Sequence, residues 1–229
     1  MENVGCVTYR DQYVFREKVS RSFESGVAHT FLHEMAHMWF GNLVTMSWWN
    51  DLWLNESFAD WASYFAQAEA TGDIFPAAWN SFLTRKAWGY STDQASTTHP
   101  IECRVENTEV CETIFDGISY SKGAAVLKQL QFILGDTIFS NALKNYFAKH
   151  GESNTVFNDL VTELDEESKR QNNDFDIWAW ADRWIKTAGL NELAPAFETD
   201  TSGNVTSFTI TQTPAVAEHP TLRDHKINM

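Results

Sequence analysis

The sequence contains no apolar run that approaches the roughly 20 residues needed by a membrane-spanning helix. Its first residues, MENVGCVTYRDQ, lack the basic segment and the apolar stretch of a signal peptide. Cysteine is scarce and odd in number. Cys6, Cys103 and Cys111 form no CxxC pair, which favours reduced thiols over disulfides or a cysteine metal site. A cytoplasmic protein without a membrane partner is the simplest expectation.

Basic residues are also in short supply. Lys and Arg number 17 against 31 Asp and Glu, which gives a net charge of −14. Nucleic acids and anionic membranes are bound through basic patches, so this balance disfavours both as partners. The acidity favours solubility, and a weak attraction of cationic ligands such as free amines is the functional alternative.

The spacing of apolar residues predicts a mainly helical domain with short strands at both ends. The first twenty residues mix Val, Tyr, Phe and Thr in short runs that are typical of strands at a sheet edge. Helices are predicted at 26–41, 56–72, 75–88, 120–134, 137–149, 155–170 and 174–188. Between them, the polar stretch 91–121 is predicted to be a long surface connection, and a strand pattern begins near residue 205.

The segment HEMAH, residues 33–37, carries the pattern of a zinc site. On a helix, residues four apart share a face, so His33 and His37 can point at a single ion. Glu34 lies beside the first histidine, where it can reach a water bound to the metal. This is the HExxH arrangement of zinc peptidases.

A catalytic zinc needs three protein ligands and one open position. Glu56, at the predicted start of the second helix, would complete a site of two histidines and one glutamate. Considered alone, Glu56 could simply be a favourable charge at a helix N-terminus. Asp60 lies one turn further, where it could accept a hydrogen bond from a ligand histidine or face solvent.

Two other histidines are given structural interpretations. His29 lies one turn before His33, but a fourth ligand would close the open position, so we interpret it as a partly buried or surface residue. His99 has no partner at ligand spacing and is predicted to be a surface residue.

The segment HEMAHMWFGNLVTMSWWNDLWLNESFADW resembles the zinc-site segment of the M1 family of metallopeptidases, the aminopeptidase N family among the gluzincins. MEN at residues 1–3 is similar to the end of that family's Gly-Ala-Met-Glu-Asn motif, and ISYSKGA at 118–124 to its catalytic-tyrosine segment. WIKTAGLNELAPAFETD and EHPTLRDHKI are most like actinobacterial members. Ser57 stands where glycine is common in the family.

The resemblance implies a zinc aminopeptidase with one Zn²⁺ per chain, bound by His33, His37 and Glu56. Glu34 would be the general base, which takes a proton from the metal-bound water and delivers it to the leaving amine. Tyr120 would donate a hydrogen bond to the developing oxyanion.

The same resemblance assigns substrate binding to the first three residues. Glu2 would bind the free α-amine of a peptide and so impose exopeptidase action. Met1 and Asn3 would flank it, and Asn3 would shape the backbone or contact the substrate. The expected partners are therefore peptides with a free N-terminus.

The implied fold is a thermolysin-like gluzincin catalytic domain, mainly α within the α+β class. Residues 1–190 would form this domain without its early strands, and 191–229 a linker and the first strands of a following β-sandwich. The N- and C-terminal domains of the full-length enzyme would be absent partners.

Two alternatives to the aminopeptidase remain open. A thermolysin-type gluzincin endopeptidase would share the zinc ligands, but it would not need MEN or ISYSKGA. A folded fragment could bind zinc or peptide with little or no turnover because the flanking domains are missing.

Overall fold

The first helix, α1 (Arg21–Ala36), begins where the side chain of Ser20 accepts a hydrogen bond from the backbone N–H of Phe23. It therefore starts earlier than predicted. After it, Gly41 takes a positive φ of 122°, a conformation that favours glycine, and leads the chain into the short strand β1 (Val44–Met46). The computed structural model describes residues 1–71 and 74–228.

The prediction of edge strands in the first twenty residues is wrong. This stretch, all of which the structure describes, contains a 3₁₀ turn at Asp11–Tyr13 and other turns but no strand. Its N–H groups bond locally, as Thr8 does to the carbonyl of Met1. Its aromatic rings pack on α1, where Tyr9 lies 4.4 Å from Phe31 between ring centroids. Apolar contacts with the helix take the place of strand pairing.

The second helix, α2 (Leu52–Ala70), runs through the interior and is buried over most of its length. It follows a 3₁₀ turn at Trp49–Asp51 and so begins before the predicted N-cap. The predicted end at Gly72 lies outside the described residues. The α2 side chains Trp53, Phe58 and Trp61 are part of the main apolar core. Polar residues on such a buried helix must find partners within the protein.

The other helices are α3 (Ala78–Asp93), α4 (Thr108–Thr113), α5 (Gly123–Leu134), α6 (Asp136–His150), α7 (Phe157–Arg170) and α8 (Ile177–Trp184). The four helices α5 to α8 lie where the sequence predicts helices, and only their first and last residues differ from the prediction. The stretch 91–121 is not merely a surface connection, because it contains α4 and the buried Ile101. Immediately before α5, residues Ile118–Lys122 form one turn of π-helix, which we call the π-turn.

The strands in the described residues are few and form two separate pairs. β1 pairs in parallel with β2 (Ser153–Thr155), Val44 opposite Ser153. The predicted strand near residue 205 is confirmed as β4 (Val205–Pro214), which pairs antiparallel with β3 (Asn191–Thr199). Both faces of this hairpin are largely exposed. No helix within the described ranges is long and apolar enough to cross a membrane.

Candidate metal centre and active site

α1 and α2 pack side by side and bring three nitrogen and oxygen atoms to one point. The Nε2 atoms of His33 and His37 are 3.1 Å apart. The Oε2 atom of Glu56 lies 3.4 Å from the first and 3.5 Å from the second. We call these three residues the ligand cluster. The predicted ligands thus converge on one point from two helices.

The ligand cluster fits zinc. Tetrahedral zinc with bonds of about 2.0–2.2 Å to nitrogen and oxygen has ligand atoms about 3.3–3.6 Å apart. The three observed separations lie close to that range. Two imidazoles and one carboxylate are also the donor set of catalytic zinc peptidases, and they leave a fourth position open. These residues could therefore hold one zinc ion.

The outer nitrogens of both histidines are held by the protein. Nδ1 of His37 lies 3.0 Å from the carbonyl oxygen of Phe40, and Nδ1 of His33 lies 3.1 Å from Oδ1 of Asp60. When both Nδ1 atoms donate, both Nε2 atoms are free to bind a metal. Asp60 is fully buried, so it lies behind His33 and does not face solvent.

The same contacts shift the ionisation of the cluster. Burial disfavours the charged form of His33, but its hydrogen bonds with Asp60 and Glu56 raise its pKa to about 9. Burial also disfavours the charged form of Glu56, but hydrogen bonds with the two histidines lower its pKa to about 2. Glu56 is therefore a carboxylate at neutral pH, as a metal ligand must be. A metal would displace the proton of His33.

Arg85, on α3, is a site residue that the sequence did not reveal. Its Nε and Nη2 atoms donate to the two oxygens of Asp60 at 2.7 and 3.2 Å. The hydrogen bonds with His29 and His33, and the charge of Arg85, keep the pKa of the buried Asp60 well below its usual value. No short spacing or motif links residues 60 and 85, so only the fold brings them together.

Replacing Arg85 with methionine is expected to lower the free energy of unfolding by about 3 kcal/mol, because Asp60 would lose the cation that contacts both its oxygens. Urea denaturation of the zinc-free protein measures this. Arg170→Met is the control. Arg170 is about half exposed on α7, and its loss should cost less than about 1 kcal/mol. Equal effects of the two substitutions would contradict the importance of the buried pair.

A second group of potential ligands consists of His29, His33 and Asp60. Both oxygens of Asp60 already accept hydrogen bonds from Arg85, and a metal there would compete with the guanidinium. The ring of His29 stacks on Tyr64 at 4.3 Å between centroids, and its Nδ1 contacts Ser63. This agrees with the interpretation of His29 as a partly buried structural residue.

Tyr120, in the middle of the π-turn, lies beside the ligand cluster. Its ring is nearly parallel to that of His33, with 6.1 Å between centroids, and Arg85 lies 5.4 Å from its centroid. Burial and the negative charge of Glu56 raise the pKa of Tyr120 above its usual value. The phenol therefore stays protonated and can donate a hydrogen bond.

Glu34 projects from α1 toward the first residues of the chain. Its Oε2 atom lies 2.8 Å from the α-amine of Met1. The carbonyl of Glu2 accepts a hydrogen bond from Nδ2 of Asn42 at 2.8 Å, and that of Asn3 accepts one from Cys6. Met1 therefore lies next to the candidate base, and Glu2 and Asn3 follow it in the chain. Within the described part of the chain, the carboxylate of Glu2 has no hydrogen bond or ion pair.

Comparison with known proteins agrees with this geometry. Residues 1–184 match the peptidase family M1 domain. Aminopeptidase N of Streptomyces lividans is 48% identical over 99% of this chain and 27% of its own length. Aminopeptidase M1-B of Oryza sativa is 45% identical over 73% of the chain, and leucyl aminopeptidase of Saccharolobus solfataricus 39% over 72%. The chain spans about a fifth to a quarter of the length of these relatives.

Proposed function

Because the chain belongs to peptidase family M1, we propose that it carries the catalytic site of a zinc-dependent aminopeptidase, which hydrolyses the N-terminal peptide bond of peptides. The observation that carries this proposal is the ligand cluster, whose three donor atoms lie 3.1–3.5 Å apart. When bound, zinc polarises a carbonyl group and lowers the pKa of water from its bulk value toward neutrality.

The proposed general base is Glu34. It accepts the proton of the attacking water and then delivers it to the leaving amine. Its position directly after His33 on α1 supports this role, because the carboxylate must reach the water that attacks. Its side chain is only 14% exposed, so the carboxylate is largely shielded from solvent.

Tyr120 is the proposed donor to the oxyanion that develops on the scissile carbonyl. A protonated phenol that is held in place before the reaction stabilises this charge without reorganisation. The raised pKa of Tyr120 supports this, since a protonated phenol can donate a hydrogen bond.

Glu2 is the proposed partner of the substrate's α-amine, with Met1 and Asn3 beside it. The contact between Met1 and Glu34 supports this assignment, because Glu2 is the next residue in the chain. A carboxylate near the reacting bond would select peptides with a free N-terminus. Asp60 is proposed to orient His33 through its Nδ1 atom, with Arg85 holding the carboxylate.

Residues 1–190 are proposed to form a thermolysin-like catalytic domain, and 191–229 to lead into a following β-sandwich domain. The largely exposed β3–β4 hairpin supports the second part. The three free cysteines support a cytoplasmic location.

The test is hydrolysis of alanyl and leucyl arylamides by the zinc-loaded chain, compared with N-acetylated forms of the same compounds. We expect turnover of the free amines only. Glu2→Gln is expected to lower kcat/KM for the free amines about 10- to 100-fold, because a charged hydrogen bond of about 1.5–3 kcal/mol is lost.

The control is Glu17→Gln, an exposed glutamate of the same N-terminal segment, which should leave kcat/KM unchanged. Cleavage of the acetylated compounds would indicate an endopeptidase instead. Bound zinc without any turnover would identify a zinc-binding fragment that needs its flanking domains.

A further inference from the structure

The π-turn that carries Tyr120 is an unusual piece of backbone. A single π turn is rare and is found frequently at functional sites. It changes the pairing of successive N–H and C=O groups, so some of them need other partners. Ile118–Lys122 forms this turn directly before α5. Contacts with residues outside the turn hold it at both ends and near its middle.

At the first end of the π-turn, Asp116 binds the backbone and a histidine at once. Its Oδ1 atom accepts from the N–H groups of Ile118 and Ser119 at 2.8 and 3.1 Å. Its Oδ2 atom lies 3.0 Å from Nε2 of His99. The prediction that His99 is a surface residue is therefore wrong.

His99 is charged in this arrangement. Its Nδ1 atom lies 2.6 Å from the carbonyl oxygen of Pro100, so both ring nitrogens face acceptors. Burial disfavours the cation, but the hydrogen bond with Asp116, followed by those with Cys103 and Pro100, raises the pKa of His99 to about 10. The contact with Asp116 is thus an ion pair at neutral pH.

At the second end of the π-turn, Lys122 is buried against Asp93, the last residue of α3. Their Nζ and Oδ2 atoms are 2.8 Å apart, and Nζ also donates to the carbonyl of Gly189 at 3.0 Å. The hydroxyl of Thr98 donates to Oδ1 of Asp93 at 2.7 Å. Because Thr98 precedes His99, the two ion pairs are joined through a short piece of chain.

The middle of the π-turn is tied to α2. The hydroxyl of Ser57 donates to the carbonyl of Ser119 at 2.6 Å, and both residues are fully buried. Ser57 follows the proposed ligand Glu56, so this hydrogen bond ties the turn to the part of α2 that carries the ligand. The serine that replaces the usual glycine at this position therefore has a specific contact.

We propose that the two ion pairs at the ends of the π-turn hold the hydroxyl of Tyr120 in place beside the ligand cluster, an inference that rests on the proposed aminopeptidase reaction. Asp93, His99 and Asp116 are positioning residues, because each acts through the backbone or a side chain of the turn. None of them contacts the ligand cluster itself.

The size of the effect follows from the geometry that an oxyanion donor needs. Such a donor must lie within about 2.7–3.1 Å of the charge that develops, and its loss costs about 10²–10³-fold in kcat. A displacement of about 1 Å can cost about 10²-fold. Loosening one end of the turn should therefore lower kcat about 10- to 100-fold while zinc binding and KM change little.

The test is a double-mutant cycle on the zinc-loaded chain with an alanyl arylamide as substrate. Asp116→Asn keeps an oxygen for the two N–H groups but removes the ion pair, and it should lower kcat about 10-fold or more. In a Tyr120→Phe background the same substitution should lower kcat less than about 2-fold, because the group it positions is already gone. Equal losses in both backgrounds would overturn the proposal.

His99→Gln tests the same end of the turn from the other partner and should give the same non-additive pattern. The control is Glu163→Gln, at a residue of α7 away from the turn. It removes a nearly buried carboxylate whose Oε1 atom lies 2.6 Å from Nζ of Lys149. It should leave kcat unchanged. A loss of kcat in the control as large as in Asp116→Asn would also overturn the proposal.

A second readout does not depend on turnover. With 3-fluorotyrosine in place of the six tyrosines, the ¹⁹F resonance of Tyr120 is the one missing in Tyr120→Phe. Asp116→Asn should shift or broaden this resonance and leave the signal of Tyr146 in the main core unchanged. An unaltered Tyr120 resonance would overturn the positioning role, whereas an inactive parent chain with the expected shift would overturn only the proposed reaction.

Discussion

Replacing Glu34 with glutamine is expected to lower kcat for an alanyl arylamide about 10³-fold while one zinc ion remains bound per chain. General bases contribute about 10²–10⁴-fold to rates, and a carboxamide cannot accept the proton of the attacking water. The side chain keeps its size and its place on α1, so the neighbouring histidines keep their positions. Metal analysis and steady-state kinetics on the same preparation measure both quantities.

Glu24→Gln is the matched control for this substitution. Glu24 lies on the same helix, but near its exposed start, where it pairs with Arg21. Its replacement should change neither turnover nor zinc content. A Glu34→Gln enzyme with more than about a tenth of the parent kcat would show that another group takes the proton.

Replacing Glu56 with glutamine is expected to weaken zinc binding at least about 100-fold and to abolish turnover at zinc concentrations that saturate the parent. The carboxylate provides the only negative charge among the three donors, and its oxygen lies 3.4–3.5 Å from both histidine nitrogens. A neutral amide is a much poorer ligand for zinc. Competition with a chelator of known zinc affinity measures the loss.

Glu163→Gln is again the matched control, since Glu163 and Glu56 are both glutamates with little exposure. Excess zinc should restore part of the activity of Glu56→Gln, because the two histidines remain. If Glu56→Gln binds zinc as tightly as the parent, another residue must be the third ligand. The assignment of Glu56 as a zinc ligand would then be wrong.

The convergence of the proposed metal ligands could be predicted from the sequence, in part because helix geometry fixes the relation between two of them. Residues four apart on a helix share a face, so His33 and His37 needed only the prediction of a helix. Glu56 lies on a separate helix, and its role followed from the number of ligands that catalytic zinc requires and from the family resemblance. The structure brings all three together.

The residues that support the site could not be predicted in the same way. Arg85 meets Asp60, and His99 meets Asp116, across distances in sequence that no local period describes. Only the spacing of Asp116 before two backbone N–H groups is a local signal, because aspartate often caps turns in this way. The prediction of N-terminal strands was wrong for a related reason, because it too depended on contacts distant in sequence. Residues that favour strands form them only where a partner strand is available.

The parallel pairing of β1 with β2 closes a much longer loop of chain than the contact between the proposed metal ligands does, and so it costs more conformational entropy. Thr45 and Asn154 meet across 109 residues, whereas His33 and Glu56 are 23 residues apart. The entropy of loop closure grows with the logarithm of loop length, so the shorter closure costs about 1.4 kcal/mol less. The proposed metal ligands therefore come together through a local contact of two neighbouring helices, and the β1–β2 pair is one of the nonlocal contacts of the fold.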